Sequence, residues 1–300
     1  AIGIFVLGFA ARIFCWAKSP VPFRIPTTCG QMKSLDFIKP AKVDNPDSVC
    51  ATWVRMAFEV LFFRSLFRNT KAQVAKTEDG HKVGYGSCLD LWLFALIFHY
   101  AFLTIVIRHM RLFTEPIPQM IVFIDMMDSM FQIAAPALYL SDVAFLAAIA
   151  YLFVRRLIVP QVRYISLVQD YFPLFLIAGI GVSGVAMRYF TKVDIAKGIK
   201  ELTMSLVTFN PHIPEDHISL LFYVHFFLVC VLLMYFPFSK LMHMGGVFMS
   251  PTRNLANTSR KKHHPNPWND PNIKPHSYAG YEDEFREKMI EAGLPVDKEA

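Results

Sequence analysis

The sequence predicts an all-α fold: a polytopic membrane helical bundle of about five transmembrane helices, followed by an extended polar C-terminal tail. Of the 300 residues, 54% are hydrophobic and only 18% are charged, whereas about 25% of the residues in a soluble domain are charged. The apolar residues also gather into runs close to the roughly 20 residues that a membrane-spanning helix needs. This composition excludes a disordered chain and disfavours an ordinary soluble enzyme.

Five apolar segments are the predicted spans. We interpret the first as the end of a helix, because basic residues follow it rather than precede it, which is the wrong polarity for a secretory signal. The third begins at Pro136, and proline is tolerated at the start of a helix. The five predicted spans are residues 1–16, 89–113, 136–158, 171–190 and 218–243.

Two further segments are apolar but carry charges. Residues 51–68 are interrupted by a narrow charged stripe, a pattern typical of a helix that lies in the membrane interface. Residues 116–135 carry Asp125 and Asp128 among Met, Ile and Phe, and there we expect a shallow or re-entrant segment. The charged stripe of the first segment consists of Arg55, Glu59, Arg64 and Arg68.

The distribution of Lys and Arg predicts the orientation, since cytoplasmic loops are rich in both residues. Most of the 30 Lys and Arg residues lie in segment 18–87, in the turn 155–163 and in the chain from Lys240 onward. Five crossings place these three regions on one side, which we expect to be the cytoplasm. The N-terminus then lies outside the cell membrane, and residues 1–249 form the membrane-embedded domain.

The tail, residues 250–300, is polar and rich in Pro and Asn. A short helix is predicted over residues 282–292, where Gly293 provides the stop signal. Trp268, Tyr278 and Tyr281 are large side chains for a free linker. We therefore expect the cytoplasmic tail to dock on a soluble partner subunit, with a solvated tail as the alternative.

Four histidines lie within the predicted spans, two on the second span and two on the fifth. Ionisable side chains at membrane depth are costly and usually mark a functional site. Because the two spans are antiparallel, His99 and His243 fall at the inner level, whereas His109 and His225 fall at the outer level. The spacings correspond to rises of about 15 Å on the second span and about 27 Å on the fifth, a difference that tilt and bending can absorb.

Two imidazoles that face each other inside an apolar bundle suit haem b best. Haem iron takes axial histidine, and helix bundles hold cofactors of this kind in their cores. Copper or zinc would need three or four ligands close together, and the five cysteines show no CxxC pattern. We therefore expect two haem b groups, each passing electrons because no axial position stays open. Histidines that only pack or form hydrogen bonds are the alternative.

Haem propionates need cationic partners. The candidates at the outer level are Arg108, Arg111 and Arg188, and those at the inner level are Lys240 and Arg163. Each of them is explained equally well as a long basic side chain that reaches the membrane interface.

The four-histidine pattern is similar to that of the dihaem cytochrome b (gamma) subunit family of respiratory nitrate reductases. The resemblance covers about residues 1–245 and implies that His99 and His243 bind one haem iron and His109 and His225 the other. The long segment 18–87 and the tail motif NPWNDPN look closer to the DsrM-type subunit of the sulfite-reduction-associated membrane complex.

This resemblance implies partners as well as cofactors. The expected cytoplasmic partner is an iron–sulfur subunit resembling heterodisulfide reductase. Further subunits would be a periplasmic multihaem cytochrome c, a periplasmic iron–sulfur protein and a second quinone-interacting membrane protein. The chain would exchange electrons with a membrane quinone, expected to be menaquinone, within a respiratory complex of dissimilatory sulfur metabolism. It would itself be an electron-transfer subunit, with catalysis completed by its partners.

A quinone site also needs a titratable group, since quinone chemistry couples electrons to protons. In the nitrate reductase relatives an outer-loop lysine helps to bind quinol, but no lysine occurs here between Lys82 and Lys192, so that feature does not transfer. Two functions of other classes stay open, a secondary transporter and a purely structural membrane anchor. The outward-side candidates for the titratable group are Glu115, Asp125, Asp128, Glu215, Asp216 and His217.

Overall fold

The computed structural model of the chain describes residues 1–21, 24–25, 30–78, 80–129, 138–194, 198–258, 260, 274 and 276–298. Three features singled out in the sequence lie outside these residues: the start of the third span at Pro136, Trp268, and the NPWNDPN motif of the tail.

The described part of the chain is mostly helical and includes a small two-stranded sheet. Its first part contains α1 (Ile2–Ala17), α2 (Val49–Phe62), α3 (Arg64–Phe67), β1 (Thr70–Thr77), β2 (Gly80–Ser87), α4 (Leu89–His109) and α5 (Gln119–Asp128). Its second part contains α6 (Leu140–Ile158), α7 (Pro160–Ile165), α8 (Val168–Val185), α9 (Lys200–Val207), α10 (Leu220–Tyr235), α11 (His243–Met249) and α12 (Tyr278–Glu291).

Three helical stretches of the described chain are long and apolar enough to cross a membrane. They are Leu89–Leu112, Val168–Phe190 and Leu220–Phe238, which extend α4, α8 and α10 by short turns. α1 is apolar but shorter, and α6 is long but carries Asp142 in its first turn and two arginines in its last. These three stretches lie at the second, fourth and fifth spans predicted from the sequence.

The bundle is built around α6, which packs against α4 on one side and α8 on the other, while α8 also packs against α10. The buried core between these helices contains Ala101, Phe145 and Ile177. Gly181 is required at the contact of α8 with α6, because a Cβ atom there would lie 2.7 Å from the ring of Phe145. Helix-to-helix approach therefore explains this glycine without a cofactor.

The first half of the charged stripe predicted in segment 51–68 faces the interior of the protein. Arg55 and Glu59 are buried, whereas Trp53 and Leu61 on the opposite side of α2 are exposed. The backbone of Phe63 has a φ of 51° and separates α2 from α3. The segment is thus two helices with an outward apolar face, the pattern that an interfacial helix would show.

A β-hairpin corrects the all-α prediction. β1 and β2 form an antiparallel pair in which Val74 lies opposite Val83 and Thr77 opposite Gly80. Gly80 has a φ of 115°, a conformation open to glycine, and the Asp-Gly pair at this point is a hairpin signal in the sequence. The hairpin escaped prediction because its side chains are almost all exposed and show no apolar face.

The start of the tail is bound by its own chain. The amide of Asn257 donates to Asn45 over 3.0 Å, and the guanidinium of Arg253 lies 3.0 Å from Glu59. The predicted helix of the tail is α12, which begins at Tyr278 rather than at residue 282. Its N-cap is Ser277, whose hydroxyl accepts from the amide of Gly280 over 3.1 Å, a cap that the sequence analysis had missed.

Candidate functional site

The inner couple consists of His99 in α4 and His243 at the start of α11. Their ring centres lie 5.9 Å apart and the ring planes meet at 81°. The Nδ1 atom of His99 lies 2.7 Å from the carbonyl of Ala95, and that of His243 lies 2.9 Å from the carbonyl of Lys240. In both cases the neighbouring turn of the chain holds the ring.

The outer couple consists of His109 at the end of α4 and His225 in α10. Their ring centres lie 6.4 Å apart and the planes are nearly parallel, at 14°. The Nδ1 atom of His109 lies 2.7 Å from the carbonyl of Ile105. The Nδ1 atom of His225 instead lies 2.9 Å from the hydroxyl of Ser183 in α8.

The hydrogen bonds at Nδ1 determine which nitrogen is free. A carbonyl only accepts, so three of the four Nδ1 atoms must carry the hydrogen, and in a neutral imidazole the lone pair then lies on Nε2. Histidines that bind a metal almost always donate their second ring N–H to such a partner. His99, His109 and His243 are therefore prepared to bind a metal through Nε2.

The separation within each couple fits one metal ion between two rings. A histidine nitrogen lies about 2 Å from a metal that it binds, and the ring centre lies about 1 Å further. Two imidazoles on opposite sides of one metal therefore have centres about 6 Å apart, close to the 5.9 Å and 6.4 Å of the two couples. Within the described part of the chain, no group of three or more His, Cys, Asp or Glu side chains could hold a metal ion.

Aromatic rings and an open groove lie beside the inner couple. The ring of Phe63 stands edge-on to His99 at 4.9 Å, and that of Phe98 does so at 5.1 Å. An open groove of about 420 Å³ lies beside His243 and is lined by two cations, Arg12 and Lys240, together with Trp16, Phe238 and Met242. Arg12 was not among the predicted site residues, although it is the single charge in the first apolar segment.

The outer cluster is a group of charges next to His109: Arg108, Arg111, Asp125, Asp128 and Asp142. One guanidinium, that of Arg108, lies 2.9 Å from Asp128, 3.3 Å from Asp125 and 3.4 Å from Asp142. Arg111 lies 3.0 Å from Asp125. Arg108 and Arg111, two of the predicted propionate partners, therefore already have carboxylate partners.

Two of the three remaining predicted cations have partners as well. The guanidinium of Arg188 lies 3.8 Å from the ring centre of Tyr139, and Nζ of Lys240 lies 2.6 Å from Asp170. The third, Arg163, is exposed. Among the titratable candidates, Glu115 forms an ion pair with Lys200. Glu215, Asp216 and His217 are exposed, whereas Asp128 is buried.

The inner cluster reverses this arrangement, since a single carboxylate gathers several arginines. Asp44 lies 2.9 Å from Arg64 and also pairs with Arg68 and Arg55, while its backbone carbonyl accepts from Arg24 over 2.8 Å. Burial alone would raise the pKa of Asp44, but the hydrogen bond and charge of Arg64, with the other arginines, outweigh it and hold this pKa below its usual value. Sequence analysis had missed Asp44, which lies in an irregular segment.

The inner cluster is connected to the inner couple through α2 and α3. The indole Nε1 of Trp92 donates to the backbone carbonyl of Phe62 over 2.8 Å. The hydroxyl of Tyr100 donates to the backbone carbonyl of Leu61 over 2.9 Å. These two bonds fix α2 against α4 at the level of His99. They also hold Phe63 in its place against the His99 ring.

Comparison with known proteins gives a consistent result. Residues 56–259, which include all four histidines, match the nitrate reductase gamma subunit family. The chain is 44% identical over 279 residues to the Hdr-like menaquinol oxidoreductase cytochrome b-like subunit of Archaeoglobus fulgidus, covering 91% of this chain and 82% of the relative. It is 43% identical over 278 residues to the protein of the same description from Archaeoglobus profundus, covering 90% of this chain and 80% of the relative.

Proposed function

Because this chain belongs to the nitrate reductase gamma subunit family, we propose that it is a membrane-anchoring dihaem cytochrome b subunit. It would move electrons between a membrane quinone pool and a cytoplasmic iron–sulfur subunit. The observation that carries this proposal is the pair of histidine couples, in which each ring is held at Nδ1 and each separation suits one iron.

In this proposal the chain binds two haem b groups. His99 and His243 hold the inner haem, and His109 and His225 hold the outer haem. Bound haem supplies one-electron redox chemistry. The protein contributes the orientation and tautomer of the four imidazoles, and it separates the two levels with a packed apolar layer that includes Ala101.

The proposed arrangement has five crossings, formed by α1, α4, α6, α8 and α10. The charges of α6 support its place among them, because Asp142 lies at one end and Arg155 and Arg156 lie at the other, leaving an apolar middle. The N-terminus would lie outside the cytoplasmic membrane, while the β-hairpin, the inner cluster and the tail would lie in the cytoplasm. This is the orientation that the distribution of Lys and Arg favours.

The redox substrate that we propose is menaquinol, because both relatives are described as subunits of a menaquinol oxidoreductase. Oxidation of a quinol releases protons as well as electrons. The outer cluster offers three carboxylates beside His109, and of these Asp128 is buried. We place quinol oxidation at the outer couple, with Asp125 and Asp128 as the proton-accepting candidates.

The partner that we propose is an iron–sulfur subunit resembling heterodisulfide reductase, consistent with the description of the relatives as Hdr-like. A periplasmic multihaem cytochrome c, a periplasmic iron–sulfur protein and a second membrane subunit would complete a respiratory complex of dissimilatory sulfur metabolism. The tail would dock on the cytoplasmic subunit. A deletion of residues 259–300 tests this role, because it keeps Arg253 and Asn257, which bind the chain itself; retained association of the partner would contradict it.

A visible spectrum of the purified protein tests the redox function. Reduction with dithionite should give a b-type alpha band, with two haems for each chain. His109→Ala and His243→Ala should each lose one haem. His212→Ala is the matched control, because His212 is exposed and lies outside the predicted spans, and it should keep both. A colourless protein would contradict the proposal and favour a transporter or a structural anchor.

Double variants test the pairing itself. A protein that lacks both His99 and His243 should lose only one haem, because both ligands belong to the same couple. A protein that lacks His99 and His109 should lose two. If the first double variant lost both haems and the second lost one, the histidines would be paired differently from the couples described above.

A further inference from the structure

We infer that Ser183 is a positioning residue of the outer couple: its hydroxyl, presented by α8, holds the Nδ1 atom of His225 and thereby tunes the outer haem that the proposed function places there. The inference rests on the proposed function for the identity of the bound group. The contact itself, from Ser183 Oγ to His225 Nδ1, measures 2.9 Å.

The first argument is that His225 is held differently from the other three histidines. His99 and His109 each donate to the carbonyl four residues earlier in their own helix, and His243 donates to the carbonyl three residues earlier. His225 lies in α10, but its Nδ1 partner belongs to α8. The orientation of this one ring therefore depends on how two helices pack.

The second argument is that the hydroxyl of Ser183 has a defined direction. It also lies 3.0 Å from the carbonyl of Ile180, which can only accept, so the hydroxyl hydrogen points there. The Ser183 oxygen is then left to accept from Nδ1–H of His225. This relay of two hydrogen bonds, from imidazole to hydroxyl to carbonyl, fixes the Nδ1–H tautomer and leaves the lone pair on Nε2.

The third argument is steric. Ser183 is buried, with 8% of its surface exposed, and the next residue, Gly184, also faces the ring. A Cβ atom at Gly184 would lie 3.4 Å from Cε1 of His225. Two small residues in succession thus bring α8 close enough for a short side chain to reach the imidazole.

The expected consequence concerns the redox potential of one haem. A hydrogen bond accepted from Nδ1–H makes an imidazole more basic, and a more basic ligand favours the oxidised metal. Loss of the Ser183 hydroxyl should therefore shift the midpoint potential of the outer haem upward and leave the inner haem unchanged. Loss of such a partner also weakens binding of the metal by about 10–100-fold, so the outer haem should be the one lost first on dilution or heating.

The experiment is a potentiometric titration of the purified holoprotein and its Ser183→Ala variant, followed in the visible alpha band. Ser183→Thr keeps the hydroxyl and should keep both potentials. Ser205→Ala is the matched control, because Ser205 is also a buried helical serine that bonds its own helix, over 2.8 Å to Leu202. It touches no histidine of either couple and should move neither potential.

A second background assigns the shift to one haem. In a His243→Ala protein only the outer haem should remain, and Ser183→Ala should move its single potential upward. The low-spin electron paramagnetic resonance signal depends on the angle between the two axial rings, so the outer signal should change as the ring of His225 loses its anchor. If Ser183→Ala fails to assemble, Ser183→Cys, which keeps the volume with a weaker acceptor, should shift the potential in the same direction.

The outcomes separate this inference from the function on which it rests. Two haems in every serine variant, with both potentials unchanged or with both moved together, would overturn the role of Ser183 and leave the dihaem function standing. A downward shift of the outer haem would overturn it as well. A wild-type protein without haem would overturn the proposed function itself.

Discussion

The two ends of the bundle hold buried charge in opposite ways. In the outer cluster one guanidinium, that of Arg108, lies among the carboxylates of Asp125, Asp128 and Asp142. In the inner cluster one carboxylate, that of Asp44, lies among the guanidiniums of several arginines. Each cluster lies next to one histidine couple. The two clusters are arranged alike, but the central group is a cation at the outer end and an anion at the inner end.

The difference matters because the two kinds of group respond differently to protons. A carboxylate that loses its cationic partner can take up a proton, whereas an arginine stays charged at any ordinary pH. The outer end offers three carboxylates of this kind, whereas the inner end has Asp44 alone among its arginines, which hold the pKa of that carboxyl below its usual value. This contrast agrees with a proton-coupled reaction at the outer couple and electron transfer alone at the inner couple.

The largest effect is expected from Asp44→Asn. The substitution keeps the shape of the side chain but removes the buried carboxylate charge that Arg64, Arg68 and Arg55 share. Breaking a buried ion pair from one side costs about 3–5 kcal/mol, and each kcal/mol lowers a melting temperature by about 2–4 °C. Thermal unfolding of the detergent-solubilised protein should therefore begin roughly 6 °C lower or more.

The matched control for this variant is Asp47→Asn. Asp47 lies 3.7 Å from Lys33 in an ion pair with both side chains partly exposed, and such pairs contribute about 0–1 kcal/mol. Its melting temperature should stay close to that of the wild type. Equal losses in the two variants would show that the inner cluster adds no special stability.

A smaller effect is expected from Arg108→Gln at the outer end. The variant leaves Asp125, Asp128 and Asp142 without their shared cation, but Asp125 keeps its ion pair with Arg111. We expect a loss of about 2–3 kcal/mol in the free energy of unfolding, below the full cost of an unpaired buried charge. Thermal unfolding of the detergent-solubilised protein at neutral pH measures this loss.

Arg111→Gln is the control at this end. Arg111 is 32% exposed and contacts Asp125, so its loss should lower the melting temperature less than that of Arg108. Equal losses in the two variants would show that Arg108 has no special part in balancing the three carboxylates.

The sequence predicted the long helices and the histidine levels because both depend on local pattern. α4, α8 and α10 are continuous apolar runs, and antiparallel helices bring residues of equal depth together, as with His109 and His225. The hairpin was missed because its exposed strands carry no apolar face. A search for apolar periodicity does not detect strands of this kind.

The two charge clusters could not be predicted in full, because their bonds join distant parts of the chain. Asp44 meets Arg64 and Arg68 only after an irregular segment has folded back, and no period in the sequence marks that contact. Arg108 was interpreted as a propionate partner because the sequence shows its depth but not its distance from Asp128. Pairing across elements is tertiary information, and a single sequence contains little of it.

The smallest effect concerns the acid stability of the inner cluster. The arginines hold the pKa of Asp44 below its usual value, so its folded value lies below the unfolded value of about 3.9. Stability that comes from this shift is fully present above the unfolded value and is lost as the pH falls through the folded value. The gap in unfolding free energy between wild type and Asp44→Asn should therefore be constant from pH 7 to pH 5 and narrow below about pH 4.

Other carboxylates titrate in both proteins and cancel in the difference, so denaturation of the two proteins in parallel at pH 6, 4 and 3 isolates Asp44. A gap that stayed constant down to pH 3 would mean that the arginines bind the segment around residue 44 through its backbone carbonyl, and that the side-chain charge at the inner end contributes little.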